Sequence, residues 1–194
     1  MRNDFAEIAV VIDESGSMKN LANDTIGGFN TFLEDQKACP GTARLTVVKF
    51  NTGYDKLYDG VELQSAKPLT AENYRPGGMT ALYDAIGQAI NAVGTRLANE
   101  PEDQRPGKVI VAILTDGEEN SSKEFTQEKI AEMIKHQTEK YNWNFMFLAA
   151  NQDAWKAGGS LGVTNCVNYA ADSKGVADSY MKTSNYTRSV RISV

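Results

Sequence analysis

Short apolar runs alternate along the chain with longer stretches in which apolar positions recur every three or four residues. Ile8-Ala9-Val10-Val11-Ile12 is continuous and rich in β-branched residues, the pattern of a strand buried on both faces. A helical pattern follows, carrying Ile26, Phe29, Phe32 and Leu33, and Leu45 to Phe50 reads as a second strand. Lys56 to Leu63 alternates apolar and polar residues, which predicts an edge strand with one wet face. Leu82, Ala85, Ile86, Ala89, Ile90, Val93 and Leu97 keep helix spacing closely. Val109 to Leu114 is the most apolar run and predicts a buried strand. A helix is predicted over Glu128 to Glu139 with Ile130, Met133 and Ile134 inward, then a strand over Phe145 to Ala150. A short helix from Ala154 to Leu161, a weak strand from Asn165 to Tyr169 and a terminal helix from Val176 to Val190 complete the pattern. The polar, turn-rich stretch from Asn99 to Gly107 reads as a surface loop.

Strands alternating with helices predict an α/β fold. We expect a Rossmann-like, doubly wound, mostly parallel sheet with one antiparallel edge strand and helices on both faces. Residues 1–194 read as one domain. In such sheets ligands bind beyond the carboxyl ends of the strands, where the strand order reverses. Three segments fall there. Asp13-Glu14-Ser15-Gly16-Ser17 follows the first strand, Pro76-Gly77-Gly78-Met79-Thr80 precedes the middle helix, and Thr115-Asp116-Gly117-Glu118-Glu119 follows the Val109–Leu114 strand.

Together these segments offer two carboxylates, Asp13 and Asp116, and three hydroxyls, Ser15, Ser17 and Thr80. A set made only of oxygens selects a hard cation, Mg²⁺ or, with similar ligands, Mn²⁺ or Ca²⁺. In an extended turn every second side chain points the same way, so the Asp-x-Ser-x-Ser spacing lets three oxygens converge. A phosphate site is the rival reading of a loop before a helix. The two acids would repel an anion, and no lysine follows the glycines. Each residue also has a plainer role open to it: Asp13, Ser15 or Thr80 as a helix cap, Asp116 as the start of a turn.

The three segments in register resemble the metal-ion-dependent adhesion site of von Willebrand factor A domains. That site has an Asp-x-Ser-x-Ser stretch, a threonine on a second loop and a Thr-Asp-Gly on a third. Asp13, Ser15 and Ser17 match the first part, Thr80 the second and Asp116 the third, so all five ligand positions are filled in order. Order and size resemble the compact, stand-alone members from bacteria and their phages. The resemblance implies a binding module, not an enzyme, in which the bound ion coordinates an Asp or Glu of a partner protein. Two other functions share the chemistry. A metal-dependent phosphoester hydrolase would need a base such as Glu118 or Glu119, and Ser15 stands where one phosphatase pattern requires a second Asp. A substrate adaptor of an AAA+ ATPase machine would differ only in its partner.

Charge and composition narrow the field further. With 20 basic and 25 acidic residues the net charge is −5, and no lysine or arginine block is present, so no nucleic-acid partner is expected. No apolar run approaches the ~20 residues of a spanning helix, so no membrane association is expected. The start of the chain lacks the basic and apolar regions of a signal peptide, which implies a cytoplasmic location. Cys39 and Cys166 then read as buried thiols. Glu118 and Glu119 read as a solvated acidic rim, and His136, the single histidine, as a surface residue. Trp143 and Trp155 read as core or rim, and Gly158-Gly159-Ser160-Leu161-Gly162 lacks the spacing of a dinucleotide loop.

Overall fold

The computed structural model describes residues 1–150 and 154–193. Six strands form one sheet: β1 (Arg2–Asp13), β2 (Thr42–Phe50), β3 (Tyr54–Glu62), β4 (Pro106–Thr115), β5 (Asn144–Ala150) and β6 (Cys166–Tyr169). Five α-helices accompany them: α1 (Ala22–Ala38), α2 (Leu82–Ala98), α3 (Gln127–Tyr141), α4 (Ala154–Ser160) and α5 (Ser173–Ile192). The spatial order is β3-β2-β1-β4-β5-β6. β3 runs antiparallel at one edge and every other pairing is parallel. The chain therefore winds outward from β1 in one direction and returns at β4 to wind in the other, the doubly wound arrangement expected from the sequence.

The continuous apolar strands bury both faces, as their lack of alternation requires. Ile8, Val10, Ile12, Ile110 and Leu114 point to one side and pack with Phe29, Phe32 and Leu33 of α1 and Val176 and Tyr180 of α5. Ala9, Val11, Val111 and Ile113 point to the other and pack with Ile86, Ile90 and Val93 of α2 and Ile130 and Ile134 of α3. Both cysteines are buried and unbridged, Trp143 is in the core, and Trp155 and His136 are exposed.

Several boundaries differ from the sequence reading by a few residues, and three of them matter most. β1 begins at Arg2, because the residues before Ile8 continue the ladder, pairing with β2 from Phe5 and with β4 at Arg2. Pro106 and Gly107, read as loop, already belong to β4, with Arg2 paired to Pro106. α5 extends past both ends of the predicted helix, started by the Asp172 carboxylate, which accepts the Gly175 amide at 2.7 Å.

Candidate metal centre

β1 and β4 are neighbours in the middle of the sheet, paired up to Ile12 with Leu114. Asp13 and Thr115 are the last residues of these strands, at the point where the strand order reverses. The topology alone thus brings residues 13 and 116, remote in sequence, to one spot.

Asp13 is fully buried. Its Oδ1 accepts the Ser15 amide at 2.7 Å and its Oδ2 accepts the Thr115 hydroxyl at 2.6 Å. Ser17 donates to Asp116 Oδ1 at 2.5 Å, and the Ser15 and Ser17 hydroxyls lie 3.0 Å apart. Thr80 closes the ring. A Cβ placed on Gly117 would lie 3.2 Å from Thr80 Oγ1, 3.6 Å from Ser17 Oγ and 3.8 Å from Asp13 Oδ2. Side-chain oxygens of the first two segments therefore meet over Gly117 of the third, whose Asp116 is tied in by the Ser17 hydroxyl.

The helix-capping roles are not filled by Ser15 or Thr80. Ser15 stands before a 3₁₀ turn (Gly16–Leu21) without capping it through its side chain, and α2 has Ala81 at its cap with no side-chain bond. Burial pushes the acid groups of both Asp13 and Asp116 above the ordinary carboxylate range, and the Asp116 charge adds to the rise at Asp13. Among the described residues neither acid is paired with a lysine or arginine. Two uncompensated carboxylates ringed by three hydroxyls suit a hard divalent cation, which would offset the buried charge and use each oxygen as a donor.

The loops around this space are tied to each other by bonds that the sequence did not announce. Gly16 donates to the Gly78 carbonyl at 3.0 Å and Gly77 to the Glu14 carbonyl at 2.8 Å. Gly78 has φ of +79°, and a side chain there would press within 2.7 Å of Thr52 Oγ1, so glycine is required. Glu14, given no role in the sequence reading, is buried and takes the Arg75 amide and, at 3.4 Å, the Lys49 ammonium. Asn120 exchanges bonds with Thr80, accepting its amide at 2.8 Å and donating its own to the Thr80 carbonyl at 3.0 Å.

Glu119 is a correction to the expected acidic rim. Its carboxylate is half-buried and accepts the amides of Ser121, Ser122 and Tyr83 and the Ser122 hydroxyl. It organises the loop and the start of α2, because a helix N-terminus has unpaired amides that an outside oxygen can satisfy. Glu118 is exposed, as expected. Asp84 works in the opposite direction, from the first turn of α2 to the amides of Lys123, Glu124 and Phe125. Tyr74 donates to the Asp13 carbonyl at 2.6 Å and Tyr169 to the Thr115 carbonyl at 3.1 Å. Asp84, Tyr74 and Tyr169 answer only backbone atoms far away in the chain, and Glu119 joins its near neighbours Ser121 and Ser122 to the distant Tyr83 amide.

The sequence model of the von Willebrand factor type A domain matches residues 7–170. No curated protein matches the chain in sequence. Among solved structures, proximal thread matrix protein 1 from the mussel byssus, with its MIDAS motif occupied by zinc, is similar at a TM-score of 0.65 and 16% identity, over 94% of this chain and 46% of that protein. The pilus adhesin SpaC from Lactobacillus rhamnosus GG gives 0.66 at 15% identity, over 94% of this chain and 30% of SpaC. A von Willebrand factor type A protein from Catenulispora acidiphila gives 0.59 at 18% identity, over 92% and 41%. The chain spans less than half the length of each of these proteins. Identities this low carry the fold alone.

Proposed function

The chain belongs to the von Willebrand factor type A family, and from that premise we propose that it is a metal-dependent protein-binding module and not a catalyst. Asp13, Ser15, Ser17, Thr80 and Asp116 would hold one divalent cation, Mg²⁺ in the first instance, with Mn²⁺ or Ca²⁺ as substitutes. When bound, the ion supplies an electrophilic position that a carboxylate of a partner protein, from Asp or Glu, can complete. The observation that carries this reading is the meeting of Asp13, Ser17 and Thr80 oxygens over Gly117, with Asp116 bonded to Ser17, around two buried acids that no lysine or arginine pairs with among the described residues.

The chain's own residues explain why capture would depend on the ion. Asp13, Asp116 and the exposed Glu118 make the bare face acidic, so it repels an incoming carboxylate. The ties from Glu14, Asn120 and Glu119 hold the three segments together before anything binds, which lowers the cost of ordering them. The mussel protein's site takes zinc, which supports a divalent ion here without naming the physiological one. Among the described residues no helix is long and apolar enough to cross a membrane.

The test is capture of partners from a lysate of the source organism on immobilised wild type and Thr80→Ala, in Mg²⁺ and in EDTA. Partners should be retained by wild type in Mg²⁺ and released by EDTA. Thr80→Ala keeps both carboxylates, so it should weaken capture more than it weakens Mn²⁺ binding. A physiological partner held equally well in EDTA would end this reading.

A further inference from the structure

We propose that Tyr74 and Tyr169 are positioning residues for the ion: each phenolic hydroxyl holds the backbone carbonyl that closes one of the two acid-bearing strands. The proposal rests on the reading of the five oxygens as ligands. The two tyrosines come from unrelated places. Tyr74 lies in the irregular segment before α2 and is almost wholly buried, while Tyr169 is the last residue of β6 and half-buried.

The carbonyls they meet are the ones that matter for geometry. The Asp13 carbonyl orients the peptide leading to Glu14 and Ser15, and the Thr115 carbonyl orients the peptide leading to Asp116. Thr115 in turn donates its hydroxyl to Asp13 Oδ2 at 2.6 Å, so the two strand ends share one frame. Asp13 and Asp116 repel each other across that frame. Two hydroxyls fastened to the strand ends from outside oppose the splaying that this repulsion favours. Hydrogen-bond partners one layer out from a metal's ligands orient those ligands, and their loss typically costs about 10- to 100-fold in metal affinity.

The experiment is calorimetric titration of the full chain with Mn²⁺ for wild type, Tyr74→Phe, Tyr169→Phe and Tyr58→Phe. Tyr58 is the comparison, because its hydroxyl also donates to a backbone carbonyl, that of Lys67 at 2.9 Å, on edge strand β3. Tyr74→Phe and Tyr169→Phe should each bind Mn²⁺ roughly tenfold more weakly, and Tyr58→Phe should bind as wild type does. In the metal-free protein the Ser15 amide, which bonds Asp13 Oδ1, should exchange with solvent faster in Tyr74→Phe. Each change removes one oxygen and keeps the ring. If Tyr74→Phe fails to fold, Tyr169→Phe decides the matter alone. Wild-type affinity in the two site variants, or an equal loss in Tyr58→Phe, overturns the proposal. Failure of wild type to bind Mn²⁺ is a different result and removes the functional reading itself.

Discussion

Strand β1 carries one buried carboxylate midway along it and another at its carboxyl end, and the protein treats the two in opposite ways. Glu7, on the amino-terminal side, is fully buried and meets the Arg44 guanidinium at 2.9 Å and the Arg96 guanidinium at 2.8 Å. Those arginines reach on to Glu100 and Asp59, so the charge is spread over a network closed within the chain. Asp13, six positions later, is equally buried but has hydroxyls and an amide around it and a second acid close by. A buried charge is costly unless paired. Where the chain supplies the pair, the result is a structural joint. Where it supplies two acids and, among the described residues, no base, the proposed ion would come from solution and make that end of the sheet conditional on its surroundings.

The sharpest way to test this contrast is to remove each acid. Glu7→Ala leaves two partly buried guanidiniums without their shared partner and should cost about 3–5 kcal/mol, equally in Mg²⁺ and in EDTA, as read by denaturant melts. An EDTA-dependent loss would show that the two acids are not independent. Asp13→Ala and Asp116→Ala should behave in the reverse sense. Wild type should gain roughly 2.7 kcal/mol from metal at a hundred times its dissociation constant, and both variants should lose that increment. In EDTA they should melt no lower than wild type, because an uncompensated buried acid has been removed. Wild-type Mn²⁺ affinity in the Asp13 variant would mean that the ion is held elsewhere.

A smaller effect should appear with pH. Burial raises the acid groups of Asp13 and Asp116 in the metal-free fold, so between the ordinary carboxylate value near 3.8 and the raised one the folded state binds more protons than the unfolded state. Stability then falls as pH rises through that window, and the two acids cost stability above it. Bound metal requires both acids ionised and reverses the sign, since protons now compete with the ion. The stabilisation by Mg²⁺ should therefore shrink on acidification from neutral pH. The metal-free difference between wild type and Asp13→Ala should shrink too. A metal increment that stays constant into the acid range would contradict the shifts.

The arrangement of the sheet was legible in the sequence because its strands are buried on both sides and so appear as unbroken apolar runs. The five candidate oxygens were legible because each follows such a run or precedes a strong helical pattern at fixed spacing. The rest had no such mark. Arg2 to Glu7 and Pro106 to Lys108 interrupt the apolar runs with polar, Pro or Gly residues, so their place in the ladder depends on a neighbouring strand and not on an unbroken apolar pattern. Glu119 and Asp84 look like surface acids until the amides they serve are known. Tyr74 and Tyr169 look like ordinary core aromatics, because their hydroxyls answer backbone carbonyls 61 and 54 positions away.

The reciprocal bonds between the start of α2 and residues 119–125 have a mechanical consequence. Glu119 and Ser122 take the amides of Tyr83 and Asp84, while Asp84 takes those of Lys123, Glu124 and Phe125, and Asn120 and Thr80 hold each other from both sides. A lever made of two pieces clamped at several points turns as one. Thr80 lies at one end of that lever and Asp116 a few residues from the other, so a push on either is delivered to both. If this is the proposed ion site, it should not loosen one ligand at a time but be gripped or released as a unit, and its response to a pull on a bound partner should be abrupt, like a latch, with little of the gradual yielding of a spring.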